Sequence, residues 1–356
     1  MPRPRRYVIG VVAVFLLLVA AIAPASASED RVALFDPATG QWHLRTGGDE
    51  ATTFFFGIPD DVPLFGDWDC DGIDTVGMYR STTGFVYLRN SNDFGVADLS
   101  FFFGIPGDVP LVGDWDGDGC DTLAIRRNGE IFVSNTLGTV TADFSFFFGA
   151  LSDVPFTADF DGDGETTVGV FRESTGFVYY RNDLVTGFAE AEFFYGVASD
   201  LIVAGDWDDD GDETVGIFRP SLARFFLANV NDTVAADVEF DFGQMGWYPV
   251  AGEFASLEIT TPATDNLSFE ATFDAGANDF VADVLFTATI DIPGIDPFTV
   301  SWESDLEGPL GMGPSITASL STDLQDIASH VVTATLTTDS GTVIDTAQVI
   351  IFVGSN

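Results

Sequence analysis

Aspartates at alternate positions of a loop that glycine allows to turn back on itself can surround a hard cation. The segment Asp114-Trp115-Asp116-Gly117-Asp118-Gly119 has that form. Carboxylates at positions 1, 3 and 5 converge on the ion, a backbone carbonyl at position 7 joins them, and glycine permits the sharp turn. The pattern occurs four times, starting at Asp67, Asp114, Asp159 and Asp206, at spacings of 47, 45 and 47 residues. The candidate ligands are Asp67, Asp69 and Asp71; Asp114, Asp116 and Asp118; Asp159, Asp161 and Asp163; and Asp206, Asp208 and Asp210. Position 8 is acidic in three loops, as Asp74, Asp121 and Glu213, which makes these candidate closing ligands; the third loop has Thr166 there. Asp and Gly favour solvated turns in any protein, but three carboxylates within a few ångströms repel one another unless a cation neutralises them. A flexible all-oxygen cage suits Ca²⁺ over the smaller Mg²⁺. Up to four calcium ions are expected, with a structural role, stabilising the fold by linkage.

The loops belong to a unit repeated five times between residues 30 and 257. Each unit opens with an apolar strand such as Val76-Gly77-Met78-Tyr79, turns at a segment such as Ser81-Thr82-Thr83-Gly84, and continues into an aromatic strand such as Phe85-Val86-Tyr87-Leu88. A third strand ends in Phe-Gly, as in Phe101-Phe102-Phe103-Gly104, and a fourth, Val109-Pro110-Leu111-Val112, enters the aspartate loop. Four short strands per ~45 residues is the period of a propeller blade. The Phe triplets point the same way. Blades packed on both faces take continuous apolar runs, whereas a sheet with one wet face sends the middle Phe to solvent. A linear array leaves aromatic faces bare at both ends, so a closed ring is expected, with each aspartate loop fixing one blade to the next. The fifth unit reads Gly252-Glu253-Phe254-Ala255-Ser256 and lacks the triplet, in keeping with a unit that no blade follows. Arg80, Arg127, Arg172 and Arg219 recur after the first strand and are expected to partner nearby aspartates or carbonyls.

The Phe-Gly of each third strand, followed after a Pro turn by Gly113-Asp114-Trp115-Asp116-Gly117-Asp118-Gly119, resembles the FG-GAP/VCBS-type repeat. The resemblance covers the whole repeated region. It implies an integrin-like β-propeller with calcium in the aspartate loops, carried by the first three aspartates of each. The family's loop commonly ends in a carboxylate at position 9, and here the acids stand at position 8, so the closing ligand does not carry over.

After Leu257 the pattern changes. Thr260 to Asn266 is polar, contains Pro262 and reads as a linker at the head of a second domain, residues 258–356. Alternating strands follow: Leu267 to Phe273, Ala282 to Ile290, Phe298 to Trp302, Ser315 to Leu320, Val331 to Leu336 and Thr346 to Phe352, with a turn at Ser340-Gly341. This is the pattern of a β-sandwich. Ser301-Trp302-Glu303-Ser304, Gly308-Pro309-Leu310-Gly311 and His330-Val331-Val332-Thr333 resemble PKD-like and Ig-like modules, with Trp302 as the core tryptophan. The expected fold class is all-β: a five-repeat β-propeller of four-stranded blades followed by an Ig-like β-sandwich.

Residues 1–27 read as a secretory signal peptide. Arg3, Arg5 and Arg6 precede an apolar run from Val8 to Ala23, and Ala25-Ser26-Ala27 offers small residues for cleavage. No later stretch is long and apolar enough to span a membrane. The chain carries 56 Asp and Glu against 13 Arg and no Lys, a formal net charge of −43. Nucleic acid and anionic membrane surfaces are thereby excluded as partners, and cations, neutral sugars or basic partners are favoured. Because 46% of residues are apolar, the acidity is not that of a disordered chain. Cys70 and Cys120 lie in neighbouring loops, at positions 4 and 7. On units separated by a sheet spacing of ~10 Å they are out of disulfide reach, and two unbridged cysteines are expected.

A catalytic residue should break the repeat, and nearly every notable residue obeys it. The off-register acids Glu130, Glu190, Glu192, Glu239 and Asp241 form no group in sequence, and His43 and His330 read as strand residues. No phosphate loop, zinc spacing or Ser-His-Asp arrangement is present. The expectation is therefore not an enzyme but a secreted or cell-surface monomer that binds calcium and holds an extracellular glycan or protein, as in adhesion. A purely structural surface or matrix role is the alternative, and a polysaccharide-active hydrolase or lyase is less favoured. Trp42, Trp247 and Tyr248 depart from the repeat; burial between blades is favoured for them over sugar stacking.

Overall fold

The computed structural model describes residues 29–47, 50–262, 267–274, 279–291, 298–322, 327–338 and 343–354. The expected signal peptide and the Ser340-Gly341 turn lie outside the described residues. The described residues are all-β, in seven sheets of four or five strands.

Five of the sheets are four-stranded and antiparallel, and in four of them the strands follow one another in chain order. Sheet 1 runs Tyr248–Gly252, Arg31–Asp36, Gln41–Gly47, Glu50–Phe55. Sheet 2 runs Val62–Gly66, Thr75–Arg80, Phe85–Leu88, Leu99–Phe102. Sheet 3 is Val109–Gly113, Thr122–Arg127, Glu130–Ser134, Phe144–Phe147, and sheet 4 is Val154–Ala158, Thr167–Arg172, Phe177–Arg181, Ala191–Phe194. Sheet 5 is Leu201–Gly205, Thr214–Arg219, Arg224–Leu227, Val238–Asp241. The first strand of each sheet touches the first strands of two others, in the cycle sheet 1, 2, 3, 4, 5 and back to 1. Five apolar cores lie between consecutive sheets of this cycle. One joins Leu64, Trp68 and Phe101 of sheet 2 to Leu123 and Ile125 of sheet 3, and another joins Val32 and Leu34 of sheet 1 to Val203 and Phe218 of sheet 5.

Repeat and sheet are out of phase by one strand. Val62–Gly66 ends the first sequence unit yet pairs with Thr75–Arg80, which opens the second. The aspartate loop is therefore a hairpin connection within a sheet, not the link between blades expected from the repeat. The link is the Phe-Gly turn, 56–61 and its equivalents. The same offset ties the ends of the repeated region together, because Tyr248–Gly252 pairs with Arg31–Asp36.

The middle Phe of each triplet corrects a second expectation. Phe55, Phe102, Phe147 and Phe194 are 41–51% exposed, while their neighbours on either side are buried. The triplet lies on the outermost strand, where no neighbouring sheet covers the second face, so the two-residue alternation of a one-sided strand returns. The edge is capped instead: Phe102 N donates to Thr139 Oγ1, Phe147 N to Thr186 Oγ1 and Phe194 N to Thr233 Oγ1, each from the following repeat.

The recurring arginines partner aspartates as expected. Arg80, Arg127, Arg172 and Arg219 each grip the carboxylate of Asp61, Asp108, Asp153 or Asp200 through two nitrogens. Each aspartate also accepts the turn N–H of Ile58, Ile105, Ala150 or Val197.

The expectation for the cysteines is overturned: Cys70 and Cys120 form a disulfide, with Cα atoms 4.7 Å apart. The sheet spacing that argued against it applies where sheets pack face to face. Near the first strands the loops converge, and position 4 of one loop lies against position 7 of the next. A Cβ on Gly117 would stand 3.3 Å from Glu165 Cγ, and one on Gly162 2.6 Å from Asp212 Oδ1, which are the same two positions in later loops. The bridge closes a loop across a separation of 50 residues. Replacing both cysteines by serine is expected to lower unfolding free energy by roughly 2–4 kcal/mol, chiefly by freeing the unfolded chain. Denaturant titration checks this, and an unchanged midpoint in oxidised and reduced protein would contradict it.

The remaining two sheets hold residues 256–354. One pairs Ser256–Thr261 and Thr272–Asp274 with Asp279–Asp291, whose other neighbours include Ser315–Thr322. The other runs Leu267–Glu270, Val343–Gly354, Ile327–Thr338, Phe298–Ser304, Gly308–Met312, its first pair parallel and the rest antiparallel. Both sheets face one core, in which Trp302 is buried with its ring 5.6 Å from that of Phe286. The start of the expected linker is instead strand: Ser256–Thr261 pairs with Asp279–Asp291 and buries Leu257.

Candidate metal centres

Each aspartate loop starts where a first strand ends, and position 2 anchors it. Trp68, Trp115, Phe160 and Trp207 are buried, and the indole N–H of Trp68 and of Trp207 donates to the carbonyl that closes its loop, Thr75 or Thr214. The position-1 carboxylate turns inward and gathers the loop backbone. Asp114 accepts from Gly117 N at 2.9 Å, Asp118 N at 3.2 Å and Gly119 N at 2.7 Å. Asp67, Asp159 and Asp206 do the same within their own loops. The position-5 carboxylates of Asp71, Asp118, Asp163 and Asp210 accept from the position-7 N–H at 3.0–3.1 Å. Position 4 adopts a left-handed backbone, free of cost for Gly117 and Gly162 but taken also by Cys70 and Asp209.

The result is four triads, Asp67/Asp69/Asp71, Asp114/Asp116/Asp118, Asp159/Asp161/Asp163 and Asp206/Asp208/Asp210, with one oxygen from each member within 4.8 Å of the others. Among the described residues these are the groups that can hold a metal ion. Desolvation, followed by the charges of loop neighbours, raises Asp69, Asp161 and Asp208 above the ordinary carboxylate range. A cation among them removes that penalty. The donors are all hard oxygens, which fits calcium.

Position 8 has a different geometry. Asp121 Oδ2 accepts from Asp67 N at 2.9 Å, Glu213 Oε2 from Asp159 N at 2.8 Å and Asp74 Oδ2 from Glu253 N at 2.8 Å. Each returns its own backbone N–H to the carbonyl of the same residue. Thr166 makes the equivalent pair with Asp114, and Asp30 with Asp206. These five residues thus bond every sheet to the one before it, and none belongs to a triad. The residue before position 1 must be small for this approach: a Cβ on Gly252 would fall 2.0 Å from Asp74 Oδ2. Desolvation, with repulsion from neighbouring carboxylates, pushes Asp121 and Glu213 up to about 7, and Asp30 and Asp74 well above their usual range.

Sequence reasoning missed two sets of residues. Asn90, Asn135 and Asn182 donate Nδ2 to the position-3 carboxylates of Asp69, Asp116 and Asp161 at 2.6–2.8 Å, and Asn229 bonds Asp208. Their Oδ1 atoms are buried without a partner. The signal was present, because an Asn follows the aromatic strand, the third of each sheet, at spacings of 45, 47 and 47 residues. Asp30, the fifth interlock, was hidden because no aspartate loop precedes it in sequence.

The remaining candidates are dispersed. Trp42 is fully buried and its indole donates to Phe56 O, while Trp247 stacks on His43 at 4.1 Å. Tyr248 is 46% exposed, against expectation. His330 is buried, bonded to Ser304 Oγ and Ser321 O. Glu239 and Asp241 pair with Arg224, Glu130 accepts from Ser145, and Glu190 caps Asn182 N. These acids do not meet in one site.

No family model matches the chain, and no curated protein matches it. Among solved structures it is similar to an Agrocybe aegerita lectin that recognises non-reducing terminal N-acetylglucosamine, at 12% identity and a TM-score of 0.36, covering 91% of this chain and 90% of that one. It is similar to BBS1N crystallised with ARL6DN, at 10% identity and TM-score 0.33, over 93% and 94% of the two chains. It is also similar to the V. cholerae biofilm matrix protein Bap1, at 11% identity and TM-score 0.28, over 93% and 68%.

Proposed function

We propose that this is a secreted calcium-binding protein of the FG-GAP/VCBS type, a five-bladed β-propeller with an Ig-like sandwich behind it. It works as a non-catalytic extracellular module that holds a glycan or a protein. The observation that carries the reading is the four aspartate triads in register, each in the hairpin between the first two strands of a sheet. In sheet 1 the corresponding strands come from the two ends of the repeated region, so there is no hairpin and no triad. That distribution is what a structural ion predicts and what a single catalytic centre does not.

The ligand surface is best sought in the groove between sheets 3 and 4. Its cavity of about 730 Å³ is lined by Phe147, Phe188, Tyr179, Arg172 and Glu192 among others, with Phe188 94% exposed. Aromatic faces beside charged donors and acceptors suit a sugar ring, which stacks through its C–H face and hydrogen-bonds around its edge. A glycan array in calcium is expected to give binding that Phe188→Ala weakens by about tenfold, a loss in keeping with an aromatic anchor. Absence of any glycan or protein ligand favours the purely structural alternative, and turnover of a polysaccharide overturns the non-catalytic reading.

A further inference from the structure

We infer that the mouth of the ring opposite the aspartate loops is a separate binding site, which takes an arginine or lysine side chain presented by a protein partner. The first strands of the five sheets all run toward their aspartate loops or, in sheet 1, toward Glu253. Their opposite ends surround a cavity of about 560 Å³, lined by Val62-Pro63, Val154-Pro155, Leu201-Ile202 and Tyr248-Pro249. Strands from four different sheets line one cavity only at the middle of the cycle, so this site is distinct from the groove between sheets 3 and 4.

The lining is rich in acceptors and poor in donors. Pro37, Pro63, Pro155 and Pro249 have no amide N–H, and Asp60, Asp61, Glu173 and Asp200 accept only. Asp61 and Asp200 are engaged by Arg80 and Arg219. Asp60 and Glu173 are exposed and, among the described residues, make no ion pair, and no arginine lines the cavity. An anion is repelled here, and a sugar hydroxyl finds acceptors but few donors. A guanidinium or ammonium group on an aliphatic stem satisfies every part: its N–H groups donate to Asp60 and Glu173, and its methylenes lie on the Val, Leu and Pro wall. Tyr248 supplies an aromatic face for the cation.

The repeat is also broken at this mouth. Tyr248 stands where the other first strands have Val62, Val109, Val154 and Leu201, and Ile202 stands where the others have Pro63, Pro110, Pro155 and Pro249. Register residues build the scaffold, so a large exposed aromatic that departs from register at the axis has no structural duty that four smaller residues do not already perform. The basic partner is a polypeptide because the cavity exceeds one side chain and is rimmed by Asp60, Glu173 and Tyr248, which meet a main chain left outside.

The test uses the full secreted chain in calcium at physiological salt, with a labelled peptide carrying two arginines and its citrulline counterpart. Tyr248→Ala, which leaves the charge unchanged, and the pair Asp60→Asn with Glu173→Gln are each expected to weaken the arginine peptide by about fivefold to tenfold. Asn tolerates the left-handed backbone at residue 60, where φ is 70°. Tyr248→Phe keeps the ring and retains binding. The charge-matched pair Glu270→Gln with Glu303→Gln, on exposed positions of the second unit, leaves binding unchanged. Equal loss in that control, equal binding of the citrulline peptide, or no binding overturns the proposal, and free arginine amide binding as tightly as the peptide overturns the protein source. Failure of the calcium reading shows separately, as a melting temperature indifferent to chelator.

Discussion

Chelation with EDTA is expected to lower the melting temperature by tens of degrees, and calcium, but not an equal concentration of magnesium, to restore it. An ion that binds only the folded state stabilises it by RT ln(1 + [L]/Kd), about 2.7 kcal/mol per site when calcium is a hundred times Kd. Four filled triads together reach the order of 10 kcal/mol, comparable to the whole stability of a typical domain. The physical origin is repulsion within each triad. Without an ion, three carboxylates with oxygens within 4.8 Å must share the charge, and desolvation raises Asp69, Asp161 and Asp208 further. Loop shape alone does not depend on the ion, because Asp67, Asp114, Asp159 and Asp206 already hold the backbone by hydrogen bonds. Substituting Asp116 by Ala removes one site and should cost about a quarter of the chelation effect. Calorimetry that detects no calcium heat, together with scans that overlay in EDTA, would sink the metal assignment.

Arg172→Met is expected to cost about 3–5 kcal/mol, the range for stranding one member of a buried ion pair. Asp153 is fully buried in its side chain and accepts from Arg172 Nε and Nη2, both at 2.8 Å. Burial pushes Asp153 up, but Arg172, the Ala150 N–H and Arg126 more than offset it and hold the carboxyl below its ordinary range. A depressed carboxyl contributes stability above its unfolded value of 3.8, and that contribution is lost as pH falls through the folded value. The difference between wild type and variant should therefore be full at pH 7 and shrink as pH falls, being lost only below the depressed value of folded wild-type Asp153, under 3.8, where the carboxyl is protonated in both. Arg126 remains near Asp153 in the variant and places the loss toward the lower end. Urea titration at both pH values measures this, and a pH-independent difference would mean that lost packing of Arg172 on Tyr179 is the cause.

Much of the candidate site was legible because the repeat supplied its own alignment. The triads, the fourfold arginine that ends the strand after each aspartate loop and the missing fifth triad all follow from residues that recur in register, and the contacts within each loop are local: position 1 bonds positions 4 to 6 of the same loop. The asparagines that bond the position-3 carboxylates recur in register as well and were readable by the same means. The half-exposed middle Phe was misjudged because a run of three aromatics states that a strand is apolar, not whether it stands inside a sheet or at its edge.

What the amino-acid order determined alone was the all-β class, the period of the unit, the register of the carboxylates and the acidity of the surface. These depend on residue type and local spacing. Which strand joins which sheet, the offset that places the aspartate loop inside a sheet, the Cys70–Cys120 bridge and the interlock of Asp30, Asp74, Asp121, Thr166 and Glu213 were decided only by tertiary structure. The bridge and the interlock each rest on a pair of groups about 50 or more residues apart, brought to hydrogen-bonding or bonding distance where adjacent sheets converge. Chain spacing is silent about that convergence, because it reflects how sheets pack and not how residues follow one another.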